Sequence, residues 1–428
     1  MIGSHSRAPG RARLLTPVFL LVMLSTFAYF VSIGILVPTL PRFVEGPLGG
    51  GPAEVGIAIG FFSITAVLLR PLSGRVADRR GRRVLMLGGA ALVAAATAGL
   101  AGASSLGAVL LLRLVTGVGE AGFYTGAAST INDVAPDDRR GEALSFFSLA
   151  LYAGLAVGPV VGERILDAAG FDAVWVASAV AALVAVALSV RVSDTRPERD
   201  AGAASGRLLH ANALLPGVVL ATSVWGLSGF NTFVPLYALD IGLPGSDVVF
   251  VVYSSIVLAL RSLGARIPDR LGAAATARWA LGVSALGLAV MAAWDRPGGL
   301  YGGAALFAVG QALAFPALMT LAVRGAAAHE RGAAVGTFTA FFDLAFGAGA
   351  ASLGVVADAL GYAGTFGAAA AIAVAGMALT PIAGRATAGR PAPAPRAVNE
   401  GTKRPDEATE RPDERDESAR AASGGPGV

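Results

Sequence analysis

Polar residues are rare along this chain and come in clusters, and between the clusters run long apolar stretches. A helix needs about 20 mostly apolar residues to cross the hydrocarbon core of a bilayer. Breaking the pattern at charge and Gly/Pro clusters predicts helical spans near 14–40, 53–74, 84–103, 106–130, 142–169, 172–190, 212–240, 246–266, 277–295, 298–324, 333–360 and 362–384. The predicted fold class is an all-α polytopic membrane protein with twelve transmembrane helices. The first run, Leu14 to Leu40, follows Arg7, Arg11 and Arg13; it is too long for a signal-peptide core and is expected to stay as the first span. The polar stretch 191–211 divides the helices six and six. The expected organisation is a cytoplasmic N-terminus (1–13), one six-helix half (14–190), a cytoplasmic linker (191–211), a second half (212–384), and a tail (385–428) of Pro/Ala and mixed charge that reads as disordered and cytoplasmic.

Composition closes off the soluble classes. Hydrophobic residues make up 54% of the 428 and charged residues 14%, about half the charge of a soluble protein. With no cysteine and only His5, His210 and His329, the chain offers no metal centre, and no cofactor is signalled. The net charge of +4 raises a nucleic-acid reading, but the basic residues follow loops rather than one patch, so no nucleic-acid partner is expected. Of the 33 basic residues, 27 fall at the two ends and in alternate loops, against three (Arg42, Arg164, Arg296) in the opposite loops. This bias places both termini in the cytoplasm. Richness in Ala, Gly, Arg and Pro beside a single lysine, Lys403, suggests a GC-rich bacterial genome, and hence an inner (plasma) membrane protein.

A shift of 191 residues lays Arg70–Gly81 on Arg261–Gly272. Six of the twelve positions agree, among them Arg70/Arg261, Asp78/Asp269 and Gly81/Gly272. The same shift lays Gly119-Glu120-Ala121 on Gly310-Gln311-Ala312. Parallel repeats of this kind place a substrate between two halves related by an axis along the membrane normal.

Three motifs carry a family resemblance. The loop Gly74-Arg-Val-Ala-Asp78-Arg79-Arg-Gly81-Arg82-Arg83 resembles the signature between helices two and three of the major facilitator superfamily. Arg113-x-x-x-Gly117-x-Gly119 resembles that family's helix-four motif, and Gly154-x-x-x-Gly158-Pro159-x-x-Gly162 resembles the helix-five motif of its drug/proton antiporters, with Glu163 where a further glycine is expected. The resemblance spans residues 14–384. It implies two pseudo-symmetric six-helix halves working by alternating access, and it makes the chain a transporter rather than an enzyme.

Several residues stand out as sites. Gly74, Asp78, Arg79, Gly81, Arg82 and the repeat partner Asp269 form a conformational latch, with Asp78 docking near the start of helix eleven (331–337), where the helix dipole favours a carboxylate; the plainer reading is that these arginines only set topology. Gly154, Gly158 and Gly162 with Pro159 form a small-residue face, read either as a hinge or as ordinary close packing. Arg113, Glu120, Glu163 and Asp343 are intramembrane charges, costly to place there and therefore functional candidates. Glu120, two turns from Arg113, shares its face, and Asp343 lies near mid-membrane. Glu163 is placed near the level of Arg113, as its ion-pair partner or as a proton relay; the plainer reading of Asp343 is a carboxyl satisfied by hydroxyls such as Thr339. Tyr29, Tyr124, Tyr152, Trp225, Asn231, Tyr237, Gln311 and Phe341 are candidates for the cavity wall.

A sparsely polar cavity suits hydrophobic or amphipathic cargo. The expected function is proton-antiport export of such compounds, drugs or secondary metabolites, by a monomer in a lipid bilayer. Proton-coupled uptake of a sugar or organic acid is the nearest alternative, and a non-transporting membrane sensor the other.

Overall fold

The computed structural model describes residues 14–136, 139–195, 210–263, 271–324, 326 and 330–388. Every regular element among them is helical. Among the described residues nine helices are long and apolar enough to cross a membrane. Two of these are double: the helix Arg140–Val190 is broken at Gly170 (φ 78°) and Arg331–Ala388 at Gly361 (φ 72°), a left-handed conformation that favours glycine. With the shorter apolar helix Asp247–Leu263 the described residues hold twelve spans: α1 (Pro17–Glu45), α2 (Pro52–Arg80), α3 (Arg82–Gly99), α4 (Leu106–Val134), α5 (140–169), α6 (171–190), α7 (Ala211–Asp240), α8 (Asp247–Leu263), α9 (Ala273–Ala293), α10 (Pro297–Val323), α11 (331–360) and α12 (362–388).

Local chemistry sets the ends. Thr16 and Ser105 cap α1 and α4 by accepting from the amides of Phe19 (3.2 Å) and Ala108 (3.3 Å). Glu54 reaches back to accept from the Gly51 amide at 2.9 Å and so starts α2. Several helices run past the predicted bounds. α1 continues through Pro38 and Pro41 to Glu45, and α2 carries Arg75, Arg79 and Arg80 on its last turns. A proline inside a membrane helix is tolerated when neighbouring groups take up the freed carbonyl.

The 191-residue repeat extends to the backbone. Gly81 and Gly272, which end α2 and begin α9, both have positive φ (95° and 83°), and Gly170 and Gly361 are separated by the same offset. The two sets of six helices meet mainly at three crossings: α2 with α11, α5 with α8, and α1 with α7. Their contacts gather at the end of the bundle that holds the loops 46–51 and 241–246. There the Gly60 carbonyl lies against Gly347, Gly354 packs on Pro52 and Ala53, and Tyr362 donates to Glu45. At the opposite end Gly74, Gly141 and Gly332 have open space where a side chain would stand. Residues 196–209 of the expected linker, Asp269 of the expected latch and the tail from 389 lie outside the described residues.

Candidate functional site: a cavity between the two halves

A cavity of about 240 Å³ lies between the halves, walled mainly by aliphatic and aromatic side chains from both. Its charged lining is Arg70 (α2), Arg113 and Glu120 (α4), and Asp343 (α11). Tyr124, Tyr152 and Asn231 are also on the wall, as the sequence led us to expect.

Asp343 is not an isolated carboxyl. Its Oδ2 lies 2.6 Å from Nη2 of Arg70, so the pair bridges α2 and α11 inside the cavity wall, with both groups largely buried. Nor does Thr339 satisfy it, because that hydroxyl donates to Val335 O and Gly336 O of its own helix. Arg70 also stands over the ring of Tyr124, its guanidinium carbon 5.1 Å from the ring centroid. Glu120 stands within electrostatic reach of Arg70, Arg113 and Asp343.

Arg113 has a different occupation. α2 is interrupted at Phe61, which leaves the carbonyls of residues 57–60 at a helix end. Each finds a donor. Ile57 O accepts from the Phe61 amide at 2.9 Å, Ala58 O from Arg113 Nε at 3.1 Å, Ile59 O from Arg113 Nη2 at 2.9 Å, and Gly60 O from Ser63 Oγ at 2.8 Å. Arg113 therefore splints the break in α2, with Phe62 stacked on its guanidinium at 4.6 Å.

Glu163 is not paired with Arg113 as expected. It sits at the closed end of α5 and crosses to α8, where it accepts from the Ser246 amide at 2.7 Å and from the Ser246 hydroxyl at 3.0 Å. Arg42 of α1 lies 3.4 Å away. The carboxylate thus meets the N-terminus of α8, where the helix dipole favours negative charge. Arg164 and Asp247 form a second, longer contact across the same crossing at 3.8 Å.

Gly154, Gly158 and Gly162 seat α1, a helix of the same half: a side chain at Gly158 would meet the Gly34 backbone, and at Gly154 the carbonyl of Phe27. This is close packing within one half and not a contact between halves. Pro159 alone of that motif reaches the cavity.

Five expected wall residues are packed elsewhere. Tyr29 is fully buried and stacked on Phe123, with ring centroids 3.9 Å apart. Trp225 donates to Ser352 Oγ at 2.9 Å, Tyr237 to Met291 O at 3.0 Å, and Gln311 to Ser223 O at 3.1 Å. Phe341 lies against Gly217. In the loop after α2, Asp78 is exposed and its carboxylate lies 3.4 Å from Arg82. The buried Arg82 reaches Asp133 at 2.9 Å and donates to Ala77 O at 3.0 Å, while Gly81 lies against the carboxylate of Asp194. Asp78 thus makes its contact within its own half.

Arg70 and Arg261 were missed as site residues, although both fall inside predicted spans (53–74 and 246–266) and the rule that intramembrane charge marks function covers them as well. The aromatic wall from Phe62, Tyr253, Phe342 and Phe346 has no comparable signal, since apolar residues surround every helix.

A twelve-helix bundle with an internal repeat and a cavity between its halves is the architecture of a membrane transporter. The sequence profile of the Major Facilitator Superfamily matches residues 22–324, and the chain belongs to that family. It is 30% identical over 369 residues to an uncharacterized MFS-type transporter of Salmonella typhimurium, covering 82% of this chain and 93% of the relative. A similar relative in Burkholderia mallei is 30% identical over 371 residues, covering 83% and 89%. Among solved structures, the chain resembles a bacterial homolog of the human lysosomal transporter Spinster in an inward-facing, unoccupied conformation (TM-score 0.72, 15% identity, covering 87% of this chain and 97% of that one). It also resembles the human organic anion transporter MFSD10 (TM-score 0.66, 18% identity, covering 87% and 100%). These likenesses place the chain among transporters and not enzymes.

Proposed function

We propose that this transporter exports small hydrophobic or amphipathic compounds, drugs or secondary metabolites, in exchange for protons. It works as a monomer in the inner (plasma) membrane with both termini cytoplasmic, and its action would contribute to multidrug resistance. The observation that carries the reading is the Arg70–Asp343 pair: an ion pair bridging the two halves on the wall of an otherwise apolar cavity, with Glu120 close by. A proton taken by one of these carboxylates changes the charge that holds α2 to α11, which ties protonation to the relation between the halves.

With the orientation given by the arginine bias, the closed end is external and the structure is the inward-facing state. Asp78 then pairs within its own half because its latch partner, the start of α11, is reached only when the cytoplasmic ends approach. The six-helix halves (14–190 and 212–384) rock about the cavity, and contacts such as Glu163 to Ser246 must open in each cycle.

The test is transport by the full chain in proteoliposomes with an imposed pH gradient. Movement of a lipophilic fluorescent dye against proton entry supports the proposal. Gradient-driven movement of a sugar or organic acid along with protons would replace export by uptake. No flux of any of these compounds, with properly folded protein, would point to a sensor.

A further inference from the structure

The 191-residue offset pairs Arg70 with Arg261, and it also pairs Asp343 with Tyr152. Both pairings are contacts across the halves. On the α2/α11 crossing Arg70 meets Asp343 at 2.6 Å; on the α5/α8 crossing the guanidinium carbon of Arg261 stands 3.8 Å from the centroid of the Tyr152 ring. The same cation therefore sits at matching places, and only one copy has its carboxylate.

The charge count around the cavity follows. Among the described residues Glu120 and Asp343 balance Arg70 and Arg113 on the cavity wall, and Arg261, stacked on the wall residue Tyr152, is a further positive charge. Among the described residues no carboxylate lies within ion-pair distance of Arg261, and its Nε is buried without a hydrogen-bond partner. An aromatic face offsets only part of the cost of holding a guanidinium away from water. Tyr253, Val257 and Arg261 recur every fourth residue of α8, so they share one face. Tyr253 and Val257 line the cavity, which puts Arg261 one turn nearer its open mouth.

We infer that the cargo supplies the missing counter-ion: an amphipathic organic anion whose carboxylate docks on Arg261 over Tyr152, with its apolar body against the aromatic wall that includes Tyr253, Phe315 and Phe342. This rests on the transport reading above and narrows its substrate class. A guanidinium favours a carboxylate through two parallel hydrogen bonds, which a neutral analogue cannot form.

The experiment uses three probes with one body: 1-pyrenebutyrate, 1-pyrenebutanol and 1-pyrenebutylammonium. Binding to the full chain in phosphatidylcholine nanodiscs is read by pyrene fluorescence, with empty nanodiscs subtracted and no pH gradient. Wild type should bind the carboxylate about tenfold or more tightly than the alcohol. Arg261→Gln should remove that preference while leaving alcohol binding in place. Tyr152→Asp, which installs the carboxylate that the repeat lacks at this crossing, should also remove it, and this variant serves where Arg261→Gln folds poorly. Equal binding of carboxylate and alcohol, tighter binding of the ammonium probe, binding of none of the three, or a preference that survives both variants would each overturn the inference. Loss of the preference on exchanging phosphatidylcholine for phosphatidylglycerol would overturn it too, assigning Arg261 to a lipid headgroup. Because no gradient is applied, these outcomes are separate from the outcome of the flux assay.

Discussion

The α2/α11 and α5/α8 crossings descend from one repeat and solve the same problem in opposite ways. At the closed end, α2 and α11 meet backbone to backbone through Gly56, Gly60, Gly347 and Gly354. In the repeat Gly354 corresponds to Glu163, and at α5/α8 that carboxylate reaches the start of α8 through Ser246. Near the cavity the assignment reverses: α2 and α11 hold an ion pair, whereas α5 and α8 hold a cation on an aromatic ring. Each crossing thus combines one charged contact with one charge-free or singly charged contact, at opposite depths. Small-residue packing is insensitive to charge, while a carboxylate contact changes with protonation, so the depth of the carboxylate sets where each crossing can respond to a proton.

Four single substitutions, and a second one added to the first of them, probe this difference, ordered by their expected effect on folding stability. Asp343→Asn leaves Arg70 buried beside a neutral partner, and breaking a buried pair from one side costs about 3–5 kcal/mol. Thermal unfolding should show a large drop, and uphill transport should be lost with it. Combining Asp343→Asn with Arg70→Met should recover much of the stability and none of the uphill transport. Recovery of transport by the double variant would remove the pair from coupling.

Gly158→Leu places a side chain against the Gly34 backbone and should cost about 1–3 kcal/mol by overpacking. Because that face joins α5 to α1 of the same half, flux per folded molecule should change much less than the amount of folded protein. A folded variant with wild-type stability and no transport would restore the hinge reading of this stripe.

Glu163→Gln keeps an acceptor for Ser246 but loses the charge, an effect of about 1 kcal/mol. It should shift the population toward the state open at that end, seen as longer spin-label distances between loops 46–51 and 241–246. The chain has no cysteine, so label pairs can be introduced directly. Unchanged distances would show that the glycine contacts of α2/α11 hold this end alone.

Asp78→Asn is the mildest for folding, within about 0.5 kcal/mol, since the side chain is exposed. Transport should nevertheless fall severely at normal expression if the residue latches the other state. A parallel loss of inserted protein would make its role topological.

Much of the architecture was legible because it rests on one-dimensional signals. Glycine at 170 and 361 punctuates long apolar runs, and the offset of 191 repeats at the level of residues and of backbone angles. Contacts were harder to read. Arg70 and Asp343 lie far apart in sequence, and their meeting depends on the rotation of two helices about their axes. Period-3.6 patterning fixes such a rotation only when one face is polar, and these helices are apolar nearly all round. That is why Tyr29 and Gln311 faced inward to their own halves and Tyr152 faced the cavity without any difference in sequence context. The break at Phe61 was hidden for a related reason. Prolines in α1, α7 and α10 leave those helices continuous, whereas α2 is interrupted where no proline stands, next to carbonyls that accept from Arg113 of a neighbouring helix.

The splinted break also has a mechanical side. From Phe61 to Arg80 the lower part of α2 is an arm about 28 Å long at 1.5 Å per residue. A tilt of about 10° at that joint swings the Gly74–Gly81 loop by about 5 Å, roughly one helical turn. A joint there would turn about the two hydrogen bonds from Arg113 to Ala58 O and Ile59 O, which would then set how far the loop that carries Asp78 travels.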